Sequence, residues 1–142
     1  MDMLWSKDKA LNLLRMALNN HHALFRNGQW ETIDQLVNQN QKMLLVQRTG
    51  WGKSVVYFIS ARILRDQKRG PTIIISPLLA LMRNQIVAAE RIGIRAVTIN
   101  STNLDDWEKI KKQILEDQID TLLISPERLA NDDFIENILL PI

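Results

Sequence analysis

The chain has 142 residues, of which 46% are apolar and 24% charged, and its formal net charge is +2. This length allows one domain with a single sizeable core, and the composition argues against a disordered chain. Cysteine is absent, which excludes disulfides and cysteine-based zinc sites, and so small a net charge does not by itself indicate nucleic acid. Without a signal-peptide pattern or a long apolar run, we expect a cytoplasmic protein that does not enter a membrane.

Two amphipathic helices are predicted in the first third of the chain. Apolar residues recur at helical spacing between Asp8 and Leu18, and they do so again after the Asn27-Gly28 turn. The second apolar face consists of Trp30, Ile33, Leu36 and Val37.

A phosphate-binding loop is predicted between an apolar, strand-like run at Met43–Val46 and an apolar, helix-like run at Ser54–Leu64. Glycines in such a loop let the backbone curl so that successive N–H groups face one anion, and the N-terminus of the following helix adds a partial positive charge. The candidate loop residues are Thr49, Gly50, Trp51, Gly52, Lys53 and Ser54. We expect Lys53 to bind the β and γ phosphates as the candidate catalytic residue, and the Ser54 hydroxyl to bind Mg²⁺.

The loop departs from the full Gly-x-x-x-x-Gly-Lys-Ser pattern, because Gln47 occupies the first glycine position. A plain glycine turn followed by a solvated lysine is the alternative. The strand-like run before the loop and the helix-like run after it favour the phosphate loop.

Three further short apolar runs alternate with helical patterns at Leu78–Ile92 and Leu104–Glu116. The runs are Thr72–Ile75, Ala96–Ile99 and Thr121–Ile124, and the first has the β-branched composition of a strand buried on both faces. Strands that alternate with helices predict repeated β-α-β units. We therefore expect an α/β fold in which a parallel sheet carries helices on both faces.

Ligands of such sheets bind at the carboxyl ends of the strands, where the phosphate loop also lies. Ser76-Pro77 and Ser125-Pro126 each follow a predicted strand, which makes them candidate site-lining segments. The alternative is a plain helix start with serine as N-cap and proline in the first turn, and the local chemistry supports it at least as well.

Five short motifs, taken in order, resemble those of the first motor domain of superfamily 2 helicases, and more narrowly those of the RecQ family. They are Phe25–Gln29 (motif 0), Thr49–Ser54 (motif I), Ser76–Gln85 (motif Ia), Asn100–Thr102, and Ser125–Leu129 (motif Ib). Each motif is weak alone, and their common order carries the resemblance. The resemblance implies a P-loop NTPase fold, in which residues 23–142 are an incomplete RecA-like helicase ATP-binding domain after an N-terminal helical segment at residues 1–22.

The same resemblance implies ATP and Mg²⁺ as cofactors and single-stranded or forked DNA as the partner. It implies that Arg26 and Gln29 hold the adenine while the loop from Thr49 to Ser54 holds the phosphates. The implied nucleic-acid contacts are Ser76, Pro77, Leu78, Asn100, Ser101, Thr102, Pro126, Glu127 and Arg128. In the intact enzyme, ATP hydrolysis would drive 3′-to-5′ travel along single-stranded DNA.

Two parts of the helicase machinery are absent from the sequence. There is no Asp-Glu-x-His box, which supplies the carboxylates that hold Mg²⁺ and position the attacking water, and there is no second motor domain with its arginine finger. We therefore expect a fragment that ends just before motif II, and we leave its own catalytic activity open. The alternative is a truncated, non-catalytic module that binds nucleotide or nucleic acid. A P-loop kinase or GTPase is disfavoured because no Asn-Lys-x-Asp motif is present.

Overall fold

The computed structural model describes residues 5–48, 51–76, 83–99 and 106–140. In chain order the elements are α1 (Lys7–Leu18), α2 (Gln29–Val37), α3 (Lys53–Asp66), β1 (Thr72–Ile75), α4 (Arg83–Arg91), β2 (Ala96–Ile99), α5 (Trp107–Leu115) and β3 (Thr121–Ile124). A 3-10 turn (Pro126–Ala130) follows, and then a short helix α6 (Asp132–Phe134) that continues as a π-helix (Ile135–Leu139). Among these described helices, none is both long and apolar enough to cross a membrane.

The three strands form one parallel sheet in the order β1-β3-β2. Thr121, the first residue of the central strand, pairs with Thr72 on one side and with Ala96 on the other. The predicted bounds of all three strands are confirmed. The central strand β3 is buried along its whole length, because it has a neighbouring strand on each edge and side chains packed on each face.

Helices cover both faces of the sheet, as predicted. Successive side chains of a strand point to opposite faces. Ile74 and Ala96 therefore pack against a core built mainly by α1 to α4, whereas Leu122 and Ile124 pack against a second core built by α5 and α6. Each leucine or isoleucine that is fully buried in these cores contributes about 1.5 to 3 kcal/mol to stability.

The predicted helices are all present, with small differences at their ends. The helix after the phosphate loop begins one residue earlier than predicted, at Lys53, and it extends to Asp66. The helix predicted from Leu104 begins at Trp107 within the described residues. The part of the Leu78–Ile92 prediction that precedes Arg83 lies outside the described residues.

The strand predicted at Met43–Val46 is wrong. These residues have no regular secondary structure, and Leu44 and Val46 are 89% and 78% exposed. An apolar run becomes a strand only when a neighbouring strand satisfies its N–H and C=O groups. Among the described strands, β1 pairs with β3 alone, and a groove of about 660 Å³ opens between β1, α3 and the residues Asn40 and Gln41 just before this segment.

The expectation that β1 is buried on both faces is also wrong. Ile73 and Ile75 are 42% and 49% exposed, whereas Ile74 between them packs into the α1 to α4 core. Their side chains point to the face that α5 and α6 cover over β2 and β3. The β1 strand therefore forms an edge of the described sheet with one uncovered face.

A network of charged side chains lies at the amino edge of the sheet, which is the edge where the parallel strands begin. Asp120, just before β3, is buried and accepts hydrogen bonds from the backbone N–H of Arg95 (2.8 Å), from Arg95 Nε (3.0 Å) and from Arg65 Nε (2.8 Å). Burial alone would raise the pKa of Asp120, but the hydrogen bonds from both arginines outweigh it and lower the pKa to about 2. Because Arg65 lies in the last turn of α3, the N-terminus of α3 points to the opposite, carboxyl edge.

Candidate functional site

The N-terminus of α3 is built around Gly52. This residue is the N-cap, and its φ of 99° lies in the left-handed region that favours glycine. A Cβ atom at this position would also lie 2.5 Å from Gln29 Nε2, so space excludes a side chain as well. The N–H groups of the first turn therefore stay accessible at the end of the helix.

Within the described part of the chain, no side chain caps this helix end. The first turn of α3 contains no acidic residue, and no capping hydrogen bond is made by a side chain. In contrast, the N-terminus of α1 is capped by Ser6 Oγ, which accepts from the Lys9 N–H (3.2 Å), and Asp8 lies in its first turn. Of these two helix starts, only that of α3 leaves its positive end uncompensated.

Lys53 adds a positive charge at the same end. Its ammonium group makes no hydrogen bond or ion pair with any residue that the structure describes. A cation at a helix N-terminus is unfavourable by about 0.3 to 1 kcal/mol, and free N–H groups beside a cation form a natural anion site. The arrangement can bind a phosphate group.

Gln29 joins motif 0 to the phosphate loop. It is 3% exposed, its Oε1 accepts from the Arg26 N–H (2.8 Å), and its Nε2 donates to the carbonyl oxygens of Trp51 (3.2 Å) and Gly52 (3.3 Å). Nε2 thus already has two acceptors, so donation to adenine N7 would require one of these bonds to be exchanged, whereas Oε1 keeps a second lone pair. The adenine roles of Gln29 and of Arg26, which is exposed, stay predictions.

Trp51 anchors the loop to the core. Its indole is buried, Nε1 donates to the Asn27 carbonyl (3.1 Å), and a Cβ at Gly28 would lie 3.4 Å from the ring. The sequence suggested Trp51 only as one of the candidate loop residues. A ligand at this loop would meet the backbone of Trp51 rather than its indole.

Ser54 and Gln85 share one cavity, which brings motif I next to motif Ia. The cavity has a volume of about 190 Å³, and its walls are otherwise apolar side chains of α1, α3 and α4. Gln85 Oε1 is buried and has no hydrogen-bond partner. The sequence placed these two residues in separate motifs, and only the packing of α4 on α3 joins them.

The register of the sheet brings two of the candidate nucleic-acid residues together. Ile75 pairs with Ile124, and the Ser76 N–H donates to the Ile124 carbonyl (2.9 Å), so Ser76 and Ser125 leave neighbouring strands side by side. Ser125 is buried at the start of the following 3-10 turn, with Pro126 in its first turn, but its hydroxyl makes no capping bond. The helix-start alternative for this segment therefore holds for the backbone but not for the serine side chain.

Arg128 lies over an aromatic ring that sequence analysis did not connect with it. Its guanidinium carbon is 5.3 Å from the centre of the Trp107 ring, and Pro126 and Glu127 beside it are exposed. In the sequence, Trp107 lies within the predicted helix Leu104–Glu116, and nothing else was expected of it. No local pattern could have identified the contact, because the two residues lie in different elements.

Seven of the predicted site residues lie outside the described residues. They are Thr49, Gly50, Pro77, Leu78, Asn100, Ser101 and Thr102.

A complete protein site for Mg²⁺ is not found within the described ranges, where no group of three or more histidines or acidic residues could hold a metal ion. Ser54 would supply one hydroxyl ligand, and Mg²⁺ commonly completes its shell with water and substrate phosphates. The residues present therefore fit a metal that arrives with a nucleotide.

Comparison with known proteins identifies the family. The model of the DEAD/DEAH box helicase family matches residues 26–139. The chain is 39% identical to the ATP-dependent DNA helicase RecQ of Bacillus subtilis over 113 residues, and 33% identical to that of Haemophilus influenzae over 131 residues. These alignments cover 78% and 92% of this chain but only 18% and 20% of the relatives.

A plant relative is similar to this chain over nearly the same share of its length. The chain is 33% identical to the ATP-dependent DNA helicase Q-like 5 of Arabidopsis thaliana over 111 residues, which are 78% of this chain and 12% of the relative. The chain thus spans a fifth or less of the length of these relatives. The resemblance to RecQ helicases is confirmed, and the chain belongs to the DEAD/DEAH box helicase family.

Proposed function

We propose that this chain is the ATP-binding part of a RecQ-like DNA helicase and that it binds ATP with Mg²⁺ and single-stranded nucleic acid. The observation that carries the proposal is the uncapped N-terminus of α3, where Lys53 has no protein partner among the described residues. The Lys53 charge does not stabilise the folded chain, since a cation is unfavourable at the positive end of the helix dipole. A triphosphate supplies the missing negative charge.

Each group at this end has a distinct role in nucleotide binding. The N–H groups of the first turn and the Lys53 ammonium bind the β and γ phosphates, while the Ser54 hydroxyl provides one ligand for Mg²⁺. Bound Mg²⁺ neutralises phosphate charge. Gln29 and Arg26 lie beside the loop and hold the adenine.

Nucleic acid binds along the carboxyl edge of the sheet. Ser76 and the segment from Ser125 to Arg128 leave adjacent strands there. The hydroxyl, backbone and guanidinium groups among them suit phosphates rather than base edges, whereas the exposed Glu127 carboxylate would not face a phosphate. Binding by this chain is therefore weak, sensitive to salt and poor in sequence selectivity. In the intact protein, ATP hydrolysis drives 3′-to-5′ unwinding.

A non-catalytic binding module is the second candidate, and it is favoured by the lack of an Asp-Glu-x-His sequence in these 142 residues. Both candidates bind ATP, and because these 142 residues contain no Asp-Glu-x-His box, the purified chain should show no measurable ATP hydrolysis under either. ATP hydrolysis that the purified chain nevertheless shows and that Lys53→Ala abolishes would exclude the second candidate.

Calorimetric titration with Mg²⁺-ATP and with adenosine tests the proposed site. Lys53→Ala should weaken ATP binding by about 10- to 150-fold, because a charge-assisted contact is worth roughly 1.5 to 3 kcal/mol, and should leave adenosine binding nearly unchanged. Lys7→Ala is the matched control, since Lys7 is the first residue of α1, whose N-terminus is capped.

The control should bind ATP as the wild type does. Equal ATP affinity for wild type and Lys53→Ala, with both folded by circular dichroism, would refute the phosphate site. A loss of adenosine binding equal to the loss of ATP binding would also refute it, because the effect would then not come from the phosphates.

A further inference from the structure

Trp107 is held firmly by the core beneath it. It is the first residue of α5, and its ring packs edge-on against Phe134, with 5.5 Å between the ring centres and 75° between the planes. Phe134 is fully buried among the apolar side chains of α5, β2 and β3. The indole therefore forms a rigid surface close to where β3 ends.

The Arg128 guanidinium rests on this surface without a hydrogen-bond partner among the described residues. None of the hydrogen bonds or ion pairs between described residues involves its guanidinium, and its Nε is buried with no partner. An unpaired, partly buried guanidinium is unfavourable, and its planar array of donors matches a phosphate or carboxylate from outside. Trp107 Nε1 beside it is also buried without a partner, so the indole donates no bond that competes for the ligand.

The contact with the Trp107 ring explains how the long Arg128 side chain can be held in place before a ligand binds. An arginine loses much conformational freedom when it binds, and a cation–π contact with tryptophan, the best aromatic partner, removes part of that freedom in advance. Here the contact distance is 5.3 Å. Because Arg128 lies over the Trp107 ring and Phe134 packs against the same ring, the indole is not an open platform for stacking a base.

We propose that Trp107 is a positioning residue, which fixes the Arg128 guanidinium at the carboxyl edge of the sheet so that it binds one phosphate of a single-stranded nucleic acid backbone. This inference rests on the proposed nucleic-acid function of the same edge. Trp107 acts through Arg128 and does not itself contact the nucleic acid.

A double-mutant cycle on the full 142-residue chain tests the proposal. Binding of a fluorescent oligothymidylate of about 15 nucleotides is measured by anisotropy at several salt concentrations. Arg128→Ala should weaken binding about 3- to 10-fold and reduce the slope of log K against log salt by about one phosphate contact. Trp107→Leu should cause a similar loss when Arg128 is present and almost none in the Arg128→Ala background.

Trp107→Phe keeps an aromatic face and should retain more than half of the affinity that Trp107→Leu loses. Trp107→Phe also replaces Trp107→Leu in the cycle if Trp107→Leu does not fold. Trp30→Leu is the matched control, because Trp30 is likewise half-buried and packs against an aromatic ring, that of Phe25. It should leave the salt slope unchanged.

The outcomes distinguish the nucleic-acid role of Arg128 from the positioning role of Trp107. If Arg128→Ala binds the oligonucleotide as the wild type does, Arg128 has no nucleic-acid role and the inference fails with that part of the proposed function. If Arg128→Ala weakens binding but Trp107→Leu has the same effect with and without Arg128, the proposed function stands and the positioning role of Trp107 is wrong.

Discussion

At the amino edge of the sheet, Asp120 accepts hydrogen bonds from Arg65 and Arg95, whereas at the carboxyl edge Lys53 and Arg128 have no anionic partner among the described residues. Both edges carry concentrated charge on the same three-stranded sheet. At the first edge the charges satisfy one another and connect α3, β2 and β3. At the second edge no described residue neutralises the two cations, and we propose that a ligand does so; such departures from local rules of folding are common at functional sites.

The comparison predicts that the two edges can be damaged independently. Stability should depend on the amino edge, and ligand affinity on the carboxyl edge. A 14-residue helix such as α3 is about 21 Å long, which separates Arg65 from Lys53 by most of that length.

The largest effect is expected for Asp120→Ala. The substitution leaves Arg65 and Arg95 without their shared partner and should reduce the free energy of unfolding by about 2 to 4 kcal/mol, because a buried acceptor of several charged hydrogen bonds is lost. Urea unfolding measures the change. Asp117→Ala is the control: its side chain is 75% exposed although it pairs with Arg65, so it should cost less than about 1 kcal/mol.

ATP affinity of folded Asp120→Ala should equal that of the wild type. A large loss of affinity together with a small loss of stability would show that the amino-edge network positions the phosphate loop, and the two edges would then not be independent.

Acid should reproduce much of this effect without a mutation. The pKa of Asp120 is lowered from 3.8 to about 2 by the arginine hydrogen bonds, which outweigh its burial. A carboxyl group with a lowered folded-state pKa stabilises the protein fully above its unfolded-state pKa, and this stabilisation is lost as the pH falls from about 4 to about 2. The loss should be about 2 kcal/mol, measured by urea unfolding at a series of pH values.

Asp120→Asn should flatten this part of the pH dependence. If the wild type and Asp120→Asn lose stability in parallel below pH 4, other carboxyl groups are responsible and the amino-edge network is less important than the structure indicates.

At the carboxyl edge, Gln29→Ala should abolish a preference for ATP over GTP. The glutamine amide can accept from the adenine N6 amine and donate to N7, whereas guanine presents an acceptor at O6. One such hydrogen bond is worth about 1 kcal/mol, or roughly a fivefold preference, which a competition titration measures. Gln35→Ala on the same helix α2 is the matched control and should keep the preference.

The hydrogen bonds from Gln29 to Trp51 and Gly52 give Gln29 a structural role that is the alternative to adenine binding. If the wild type shows no base preference, Gln29 only links motif 0 to the phosphate loop, and adenine is bound without it.

The smallest effect, and the one opposite in sign, is expected for the stability of Lys53→Ala. Removal of a positive charge from the uncompensated N-terminus of α3 should raise the free energy of unfolding by about 0.3 to 1 kcal/mol while ATP affinity falls. Lys111→Ala, in the middle of α5, should leave stability unchanged within error. If Lys53→Ala destabilises the protein instead, Lys53 contributes to the fold and the contrast between the edges weakens.

Several features of this protein follow from local sequence. Three of the short apolar runs formed strands with the predicted bounds, because each is bounded by turns and pairs with a neighbouring strand. The position of Lys53 and Ser54 at a helix start also followed from spacing alone, while their roles toward phosphate and Mg²⁺ stay predictions. The order of the five motifs along the chain likewise sufficed to indicate the family, because it can be read from the sequence without knowing which residues are in contact.

The sequence by itself therefore determined the three strands of the described sheet and the approximate bounds of the helices. Only the tertiary structure decided that Met43–Val46 stays outside the sheet, because a strand needs a partner that no local pattern supplies. It also decided that the Trp51 indole enters the core, that Gln29 bonds the loop, and that Arg128 lies on Trp107. These contacts join residues far apart in the chain, and they exist because the packing of helices on a sheet, rather than local propensity, sets which side chains meet.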